Sequence, residues 1–227
     1  MNKAKNWLEK ALQYRFVSID LFKQALTHRS FSKKNNERLE FLGDAVLDFV
    51  VSEKLFELRP NATEGDLSKL RSFLVKETTL AELAFELDLG RHLILGSGEL
   101  KAGGNRRESI LSDALEAILG AIFLDQGFNA VREVINHIYS SRYIELPELS
   151  DLRDPKTKLQ EWLQERKMAL PSYELIQVLG KNHQQNFVVT CFVSEEAIST
   201  QGKSTTRRKA EQEAAQKMAK LLKEKIQ

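Results

Sequence analysis

The chain has 227 residues, 42% hydrophobic and 29% charged, with a formal net charge of +2. That suffices for one large or two modest packed domains with a charged surface, and no run approaches a membrane span or a signal-peptide core. Cys191 is the single cysteine, which excludes an internal disulfide and makes a reducing cytoplasm the expected location; the histidines at 28, 92, 137 and 183 lack zinc-like spacing.

From residue 1 to about 140 the periodicity is helical. Apolar-periodic segments fall near 3–13, 19–29, 37–58, 64–74, 77–88, 108–125 and 128–144. Breaks fall at Pro60, Gly90, Gly96, Gly98, Gly103, Gly104 and Gly127. In the third segment, NERLEFLGDAVLDFVV (36–51), Glu37, Glu40 and Asp44 share one face at about 100° per residue. Leu39, Leu42, Ala45, Val46, Phe49 and Val50 are assigned to the opposite, buried arc. Asp48 also falls on the acid stripe and reads as solvated. Acids aligned this way repel one another, and a divalent cation is the obvious compensation. Glu64 follows Thr63 at the next helix start, where an acid complements the dipole or serves the same site.

The stretch SGELKAGGNRRES (97–109) is Gly-rich and charged, and reads as a mobile loop. It leads into ILSDALEAILGAIFLD (110–125), which is apolar almost all round and so predicts a buried helix. Asp113 and Glu116 lie in it, adjacent at i,i+3. The only nearby cations are Arg106 and Arg107 at its start. Burying two unpaired carboxylates costs several kcal/mol, so they must be protonated, paired with another element, or bound to metal. Two such acid-bearing helices packed together would make an oxygen-ligand site for Mg²⁺, suited to phosphoryl chemistry.

The character changes near 147. Residues 1–150 carry 20 Lys and Arg against 22 Asp and Glu, whereas residues 151–227 carry 14 against 10. The basic half is where a polyanion would be gripped. The boundaries drawn are 1–147 for an all-α domain, 148–154 for a linker and 155–225 for a small α+β domain of order αβββα. Asp154 caps a helix that Pro155 opens. Strands are expected at 172–180, 186–193 and 197–203. Ser204, Thr205 and Thr206 precede a last helix whose Ala210, Ala214, Met218, Leu221 and Leu222 should cover the sheet. Cys191 reads as a buried strand residue.

NERLEFLGDA, followed about 70 residues later by ESILSDALEAILGAIFLDQG, resembles bacterial ribonuclease III. LTHRSF (26–31) and EGDLSKLRSFLV (64–75) are similar to that family too, and GKSTTRRKAEQEAA resembles its double-stranded-RNA-binding domain. The resemblance covers nearly the whole chain in the family's domain order, and NERLEFLGDA is its most specific motif. It implies a homodimeric, Mg²⁺-dependent endonuclease, with Mn²⁺ as a substitute ion. Such enzymes cut both strands of duplex RNA to 5′-phosphate and 3′-hydroxyl ends with short 3′ overhangs, in processing ribosomal RNA precursors and messages. No organic cofactor and no membrane are implied.

By the same resemblance, Glu40, Asp44, Asp113 and Glu116 match the metal-binding acids, with Asp44 and Glu116 the catalytic pair. Glu37 and Glu64 match supporting acids. Phe41, at the edge of the acid stripe, matches an aromatic that enters a pocket of the partner subunit. His28 and Arg29 take a structural role. Thr157, Gln160, Glu161 and His183 match minor-groove contacts, and Lys203, Arg207 and Arg208 flank the last helix where phosphate would sit. Thr205 and Thr206 depart from the Ser or Lys common there but keep a hydroxyl. A non-catalytic RNA-binding regulator is the alternative; it would have no use for the four acids.

Overall fold

The computed structural model describes residues 7, 9–148, 154–180 and 185–226. Of the expected linker, residues 149–153 lie outside the described residues, as does His183. The chain divides into two compact units, Met1–Pro147 and Glu148–Gln227.

The first unit is helical. Its described helices are α1 (Ile19–Ala25), α2 (Glu37–Leu58), α3 (Glu64–Val75), α4 (Glu77–Glu86), α5 (Ser97–Lys101), α6 (Glu108–Ile138) and α7 (Ser140–Ile144). Packing centres on α2 against α6, the most extensive helix–helix contact in the unit. Leu39, Val46, Leu47, Val50 and Val51 of α2 are buried, as are Leu111, Leu115, Ile118, Leu119 and Ile122 of α6. Each such side chain stabilises the fold by roughly 1.5–3 kcal/mol.

The crossing is unusually close because of two glycines. A Cβ on Gly43 would lie 1.8 Å from the Glu116 carbonyl oxygen, and one on Gly120 would lie 2.1 Å from that of Leu39. Backbones can therefore touch, and the acid faces of the two helices are drawn together. Gly127, at φ 81°, kinks α6 where the sequence predicts a break between two helices. Contrary to the expectation that no run approaches a membrane span, α6 could cross a membrane by length and composition alone. Its apolar content is explained by its place in the core, where half of the qualifying window is buried.

Three expectations for this unit are corrected. Ala45 and Phe49 are exposed, not buried, because Gly43 turns a different arc of α2 toward α6. Phe41 and Phe49 are 81% and 59% exposed, and with Ala45 they form an apolar strip beside the acids. Asp48 is half-buried, and its Oδ1 is sealed from solvent with no hydrogen-bond partner. Finally, 97–109 is not a mobile loop. It folds as α5 and a 3₁₀ turn at Gly104–Arg106, closed by an Arg107–Glu99 ion pair at 2.9 Å.

The second unit contains α8 (Pro155–Glu165), β1 (Ser172–Leu179), β2 (Asn186–Val193), β3 (Ile198–Ser204) and α9 (Arg207–Ile226). The sheet is antiparallel in the order β1-β2-β3, with a bulge between Leu175 and Gln177. Alternation along β2 turns Val189, Cys191 and Val193 inward, the period-two pattern of a half-covered sheet. They meet Leu159 and Leu163 of α8 and Ala214, Ala215, Met218 and Leu222 of α9. Leu221 is only partly covered, and Ala215 joins the stripe instead. Thr206 supplies the cap of α9, accepting Lys209 N–H at 3.2 Å.

Candidate active site

The α2–α6 crossing places three carboxylates together. One oxygen from each of Glu40, Asp113 and Glu116 lies within 4.8 Å of the others. Among the described residues no Lys, Arg or His forms an ion pair with any of them. All three are half-buried, where full burial was expected of Asp113 and Glu116, and of the three ways to accommodate such acids pairing with another element is not used. Burial first, and then the charges of Asp44, Glu40, Asp113 and Asp48, push Glu116 up to about 8. Glu40 is raised by burial, then by Asp113 and Glu37, with Arg29 opposing. Asp113 is raised by burial, against a Ser112 hydrogen bond and the charges of His28 and Arg29.

Asp44 sits one turn further along α2. It is exposed and contributes no oxygen to the close group. It is nevertheless the charge that acts most strongly on Glu116. Glu37 is exposed and held by Asn35 Nδ2 at 3.1 Å and Arg29 Nη1 at 3.4 Å. It shares a cleft of about 450 Å³ with Glu40 and Asp113. Glu64 does not line that cleft; its Oε1 accepts from Ser68 Oγ at 2.8 Å.

The same cleft holds groups to which sequence reasoning gave no part in the site. His28, Arg29 and Arg107 line it, so cations face the acids across the opening. His28 and Arg29 were assigned a structural role, and they also line this cleft. The signal was present in the LTHRS string and in the Arg pair before α6, but only the ion pairs to Glu37 and Glu99 reveal which way these residues face.

On the second unit, Thr157, Gln160, Arg207 and Arg208 line one cleft of about 600 Å³ with Lys156 and Glu211. Glu211 binds Lys156 Nζ at 2.7 Å and Arg207 Nε at 3.0 Å, tying α8 to α9. Lys203 and Glu161 are not among the lining residues. The Lys203 backbone N–H donates to Glu213 at 2.9 Å.

A crossed helix pair carrying unpaired acids, followed by an αβββα unit with a cationic cleft, defines a nuclease domain joined to an RNA-binding domain. The Ribonuclease-III-like family model matches residues 18–143, and the double-stranded RNA binding motif matches 155–222. Ribonuclease 3 of Alkalilimnicola ehrlichii is 50% identical over 225 residues, covering 99% of each chain. Ribonuclease 3 of Buchnera aphidicola subsp. Schizaphis graminum is 50% identical over 212 residues, 93% of this chain and 94% of that one. The nuclease domain of ribonuclease III from Campylobacter jejuni superposes with a TM-score of 0.58 at 49% identity, covering 60% of this chain and 95% of that one. The chain belongs to the ribonuclease III family and is an endoribonuclease of that type with a double-stranded-RNA-binding domain.

Proposed function

We propose that the chain is a Mg²⁺-dependent homodimer that hydrolyses both strands of duplex RNA. The products are 5′-phosphate and 3′-hydroxyl ends with short 3′ overhangs. Its substrates are ribosomal RNA precursors and structured messages, and its compartment is the cytoplasm. The observation that carries the metal requirement is the unpaired trio of Glu40, Asp113 and Glu116 with oxygens within 4.8 Å. Hard carboxylate oxygens fit Mg²⁺, with Mn²⁺ as a substitute, and the trio with Asp44 would hold it. When bound, such an ion supplies positive charge for phosphoryl transfer and lowers the pKa of water.

The chain's own residues do the rest. Glu116 is protonated at neutral pH without a cation, and would give that proton up to solvent if it served as a ligand. Asp44 and Glu116 are the catalytic pair, with Glu37 and Glu64 in support. Arg29 and Arg107 put cations on the rim, where a phosphate backbone must pass the acids. Thr157, Gln160, Glu161 and His183 take the minor groove, and Lys203, Arg207 and Arg208 take phosphates.

The exposed strip of Phe41, Ala45 and Phe49 supports the homodimer, since a second copy would cover it and supply one acid cluster per strand. The solved relative from Campylobacter jejuni is described as having a region involved in dimer formation. Phe41→Ala should shift sedimentation toward monomer at concentrations where the parent chain stays dimeric.

A perfect RNA duplex incubated with Mg²⁺, with and without EDTA, tests the whole reading. Cleavage in Mg²⁺ that EDTA stops is expected. Binding without cleavage in Mg²⁺ would instead identify a non-catalytic regulator.

A further inference from the structure

The hydroxyl of Thr157 has a fixed polarity. Its Oγ1–H donates to Asp154 Oδ2 at 2.6 Å. The other carboxylate oxygen, Oδ1, accepts the backbone N–H groups of Lys156 at 3.1 Å and Thr157 at 3.2 Å. Asp154 therefore serves two functions with two atoms: Oδ1 caps α8, and Oδ2 holds a side-chain proton that capping does not require. A hydroxyl has one proton and two lone pairs. With the proton committed to Oδ2, Thr157 has only lone pairs left for the cleft it shares with Gln160, Arg207 and Arg208.

The carboxylate is well suited to this task. Partial burial alone raises the Asp154 pKa, but the hydrogen bonds from Thr157 and Lys156 and the charge of Arg208 outweigh it and hold it below the usual range. Asp154 is thus ionised and acceptor-only wherever RNA would be bound, so the Thr157 hydroxyl is the only donor in this contact.

We propose that Asp154 is a positioning residue that makes Thr157 an obligate hydrogen-bond acceptor, so that this point of the RNA-binding face selects a ribose 2′-hydroxyl acting as donor. The match to the double-stranded RNA binding motif over 155–222 independently identifies the ligand. The inference rests on the reading of Thr157 as an RNA contact and adds the direction of the bond and the residue that sets it. Duplex RNA is distinguished from DNA by its 2′-hydroxyls, which can donate and accept. A site that can only accept requires the donor half.

A 2′-fluoro duplex is the appropriate probe, because fluorine cannot donate and the duplex remains A-form. The quantity to measure is the ratio of affinities for 2′-hydroxyl and 2′-fluoro duplexes, in the full chain with EDTA present to prevent cleavage. Taking this ratio cancels any general change in phosphate attraction when a charge near the cleft is altered. Three variants are needed: Thr157→Val, Asp154→Asn and the double substitution. Asparagine caps helices about as well as aspartate, so Asp154→Asn keeps the fold, which an unchanged melting temperature verifies. Its amide would donate to Thr157 Oγ1 and turn the hydroxyl proton outward.

The parent chain should prefer the hydroxyl duplex, with roughly three- to tenfold of that preference due to this contact. Thr157→Val should remove that share, Asp154→Asn should remove the same share, and the double variant should remove no more. If Thr157→Val shrinks the ratio while Asp154→Asn leaves it at the parent value, Asp154 does not set the polarity and the proposal is wrong, although Thr157 remains an RNA contact. If Thr157→Val leaves the ratio unchanged, Thr157 is not a contact and both readings fail together.

Discussion

The two units use carboxylates in opposite ways. In the nuclease unit, burial raises Glu40, Asp113 and Glu116, neighbouring acids of the same cluster raise Glu40 and Glu116 further, Glu77 adds to Asp113, and among the described residues no cation forms an ion pair with any of them. In the RNA-binding unit, hydrogen bonds from Lys156 and Lys217 hold Glu211 and Glu213 down, and those from Thr157 and Lys156 overcome burial at Asp154. Composition does not explain the contrast, because both units contain abundant acids and bases. Asp125 serves as an internal control, since it lies on α6 with Asp113 and Glu116. It accepts from Tyr14 Oη at 2.7 Å and from the Val17 and Ser18 N–H groups at 2.8 and 2.7 Å, and despite burial its pKa is lowered. An acid with a structural role finds donors even on that helix. Among the described residues the trio has one side-chain donor, Ser112 Oγ to Asp113 Oδ1 at 3.4 Å, and no cation, so its charge is available to an ion from outside.

The sharpest way to break this comparison is to neutralise the trio. Glu116→Gln removes one ligand and the most strongly shifted acid. Duplex cleavage should fall more than about a hundredfold, while duplex affinity measured in EDTA stays near the parent value. Cleavage in Mg²⁺ at the parent rate would mean the unpaired acids are not the catalytic centre. Next in size is the crossing that assembles them. Gly43→Ala drives a methyl group into the Glu116 backbone, where neither helix can yield without separating. A loss of at least about 3 kcal/mol in denaturant unfolding is expected, with activity lost alongside. A fully stable Gly43→Ala protein would show that the helices are not packed this tightly.

A smaller effect separates the two kinds of acid by pH. Glu116 moves from an ordinary value of 4.5 to about 8 on folding, so between those values the unfolded chain holds fewer protons. Stability of the metal-free protein should therefore fall as pH rises from about 5 to 8, by of order 2 kcal/mol once solvent screening is allowed for. Glu116→Gln should flatten that slope, and Mg²⁺ should offset it. Asp125, Asp154 and Glu211 act in the other direction. Their folded values are lowered, so they stabilise above the unfolded pKa and lose that contribution only as pH falls below about 4. Calorimetry across pH 3–8 would resolve both arms. A rising stability between pH 5 and 8 without metal would contradict an unpaired Glu116.

Much of this is legible in the sequence. Acid spacing on 36–51 and the charged pair in an otherwise apolar 110–125 were sufficient to nominate the site, because adjacent carboxylates require compensation even where, as here, they are only half-buried. The Asp154–Pro155 start and the alternation around Cys191 likewise fixed the second unit. What was not legible depended on rotation and proximity. Periodicity shows that α2 has an apolar arc, but it cannot distinguish an arc facing the core from one awaiting a partner, so Phe49 was placed on the wrong side. Gly43 and Gly120 each look like tolerated helix glycines; only their pairing across the crossing gives them a purpose. Asp48 has the same angular position as the stripe and was read as solvated, whereas depth in the fold, not angle, decides its exposure. Arg29 and Arg107 reach the cleft through ion pairs whose acidic partners lie eight residues away in each case.

The mildest test concerns the basic unit. Arg207 is paired with Glu211 at 3.0 Å, yet its side chain remains 58% exposed. Glu211 is largely covered but keeps its Lys156 partner at 2.7 Å when the exposed arginine is lost, so Arg207→Ala should leave the melting temperature within about a degree or two. Its effect should instead appear in binding. If the guanidinium meets a phosphate, losing it weakens duplex affinity roughly three- to tenfold and reduces the slope of log affinity against log salt by about one. Cleavage of saturating duplex in a single turnover should be unchanged, because Arg207 belongs to the unit that holds RNA and not to the unit that cuts it. A lower single-turnover rate with unchanged affinity would make Arg207 part of the cutting step. An unchanged salt slope would confine its charge to Glu211, and the distinction between paired acids that organise cations and unpaired acids that await one would then hold only in the nuclease unit.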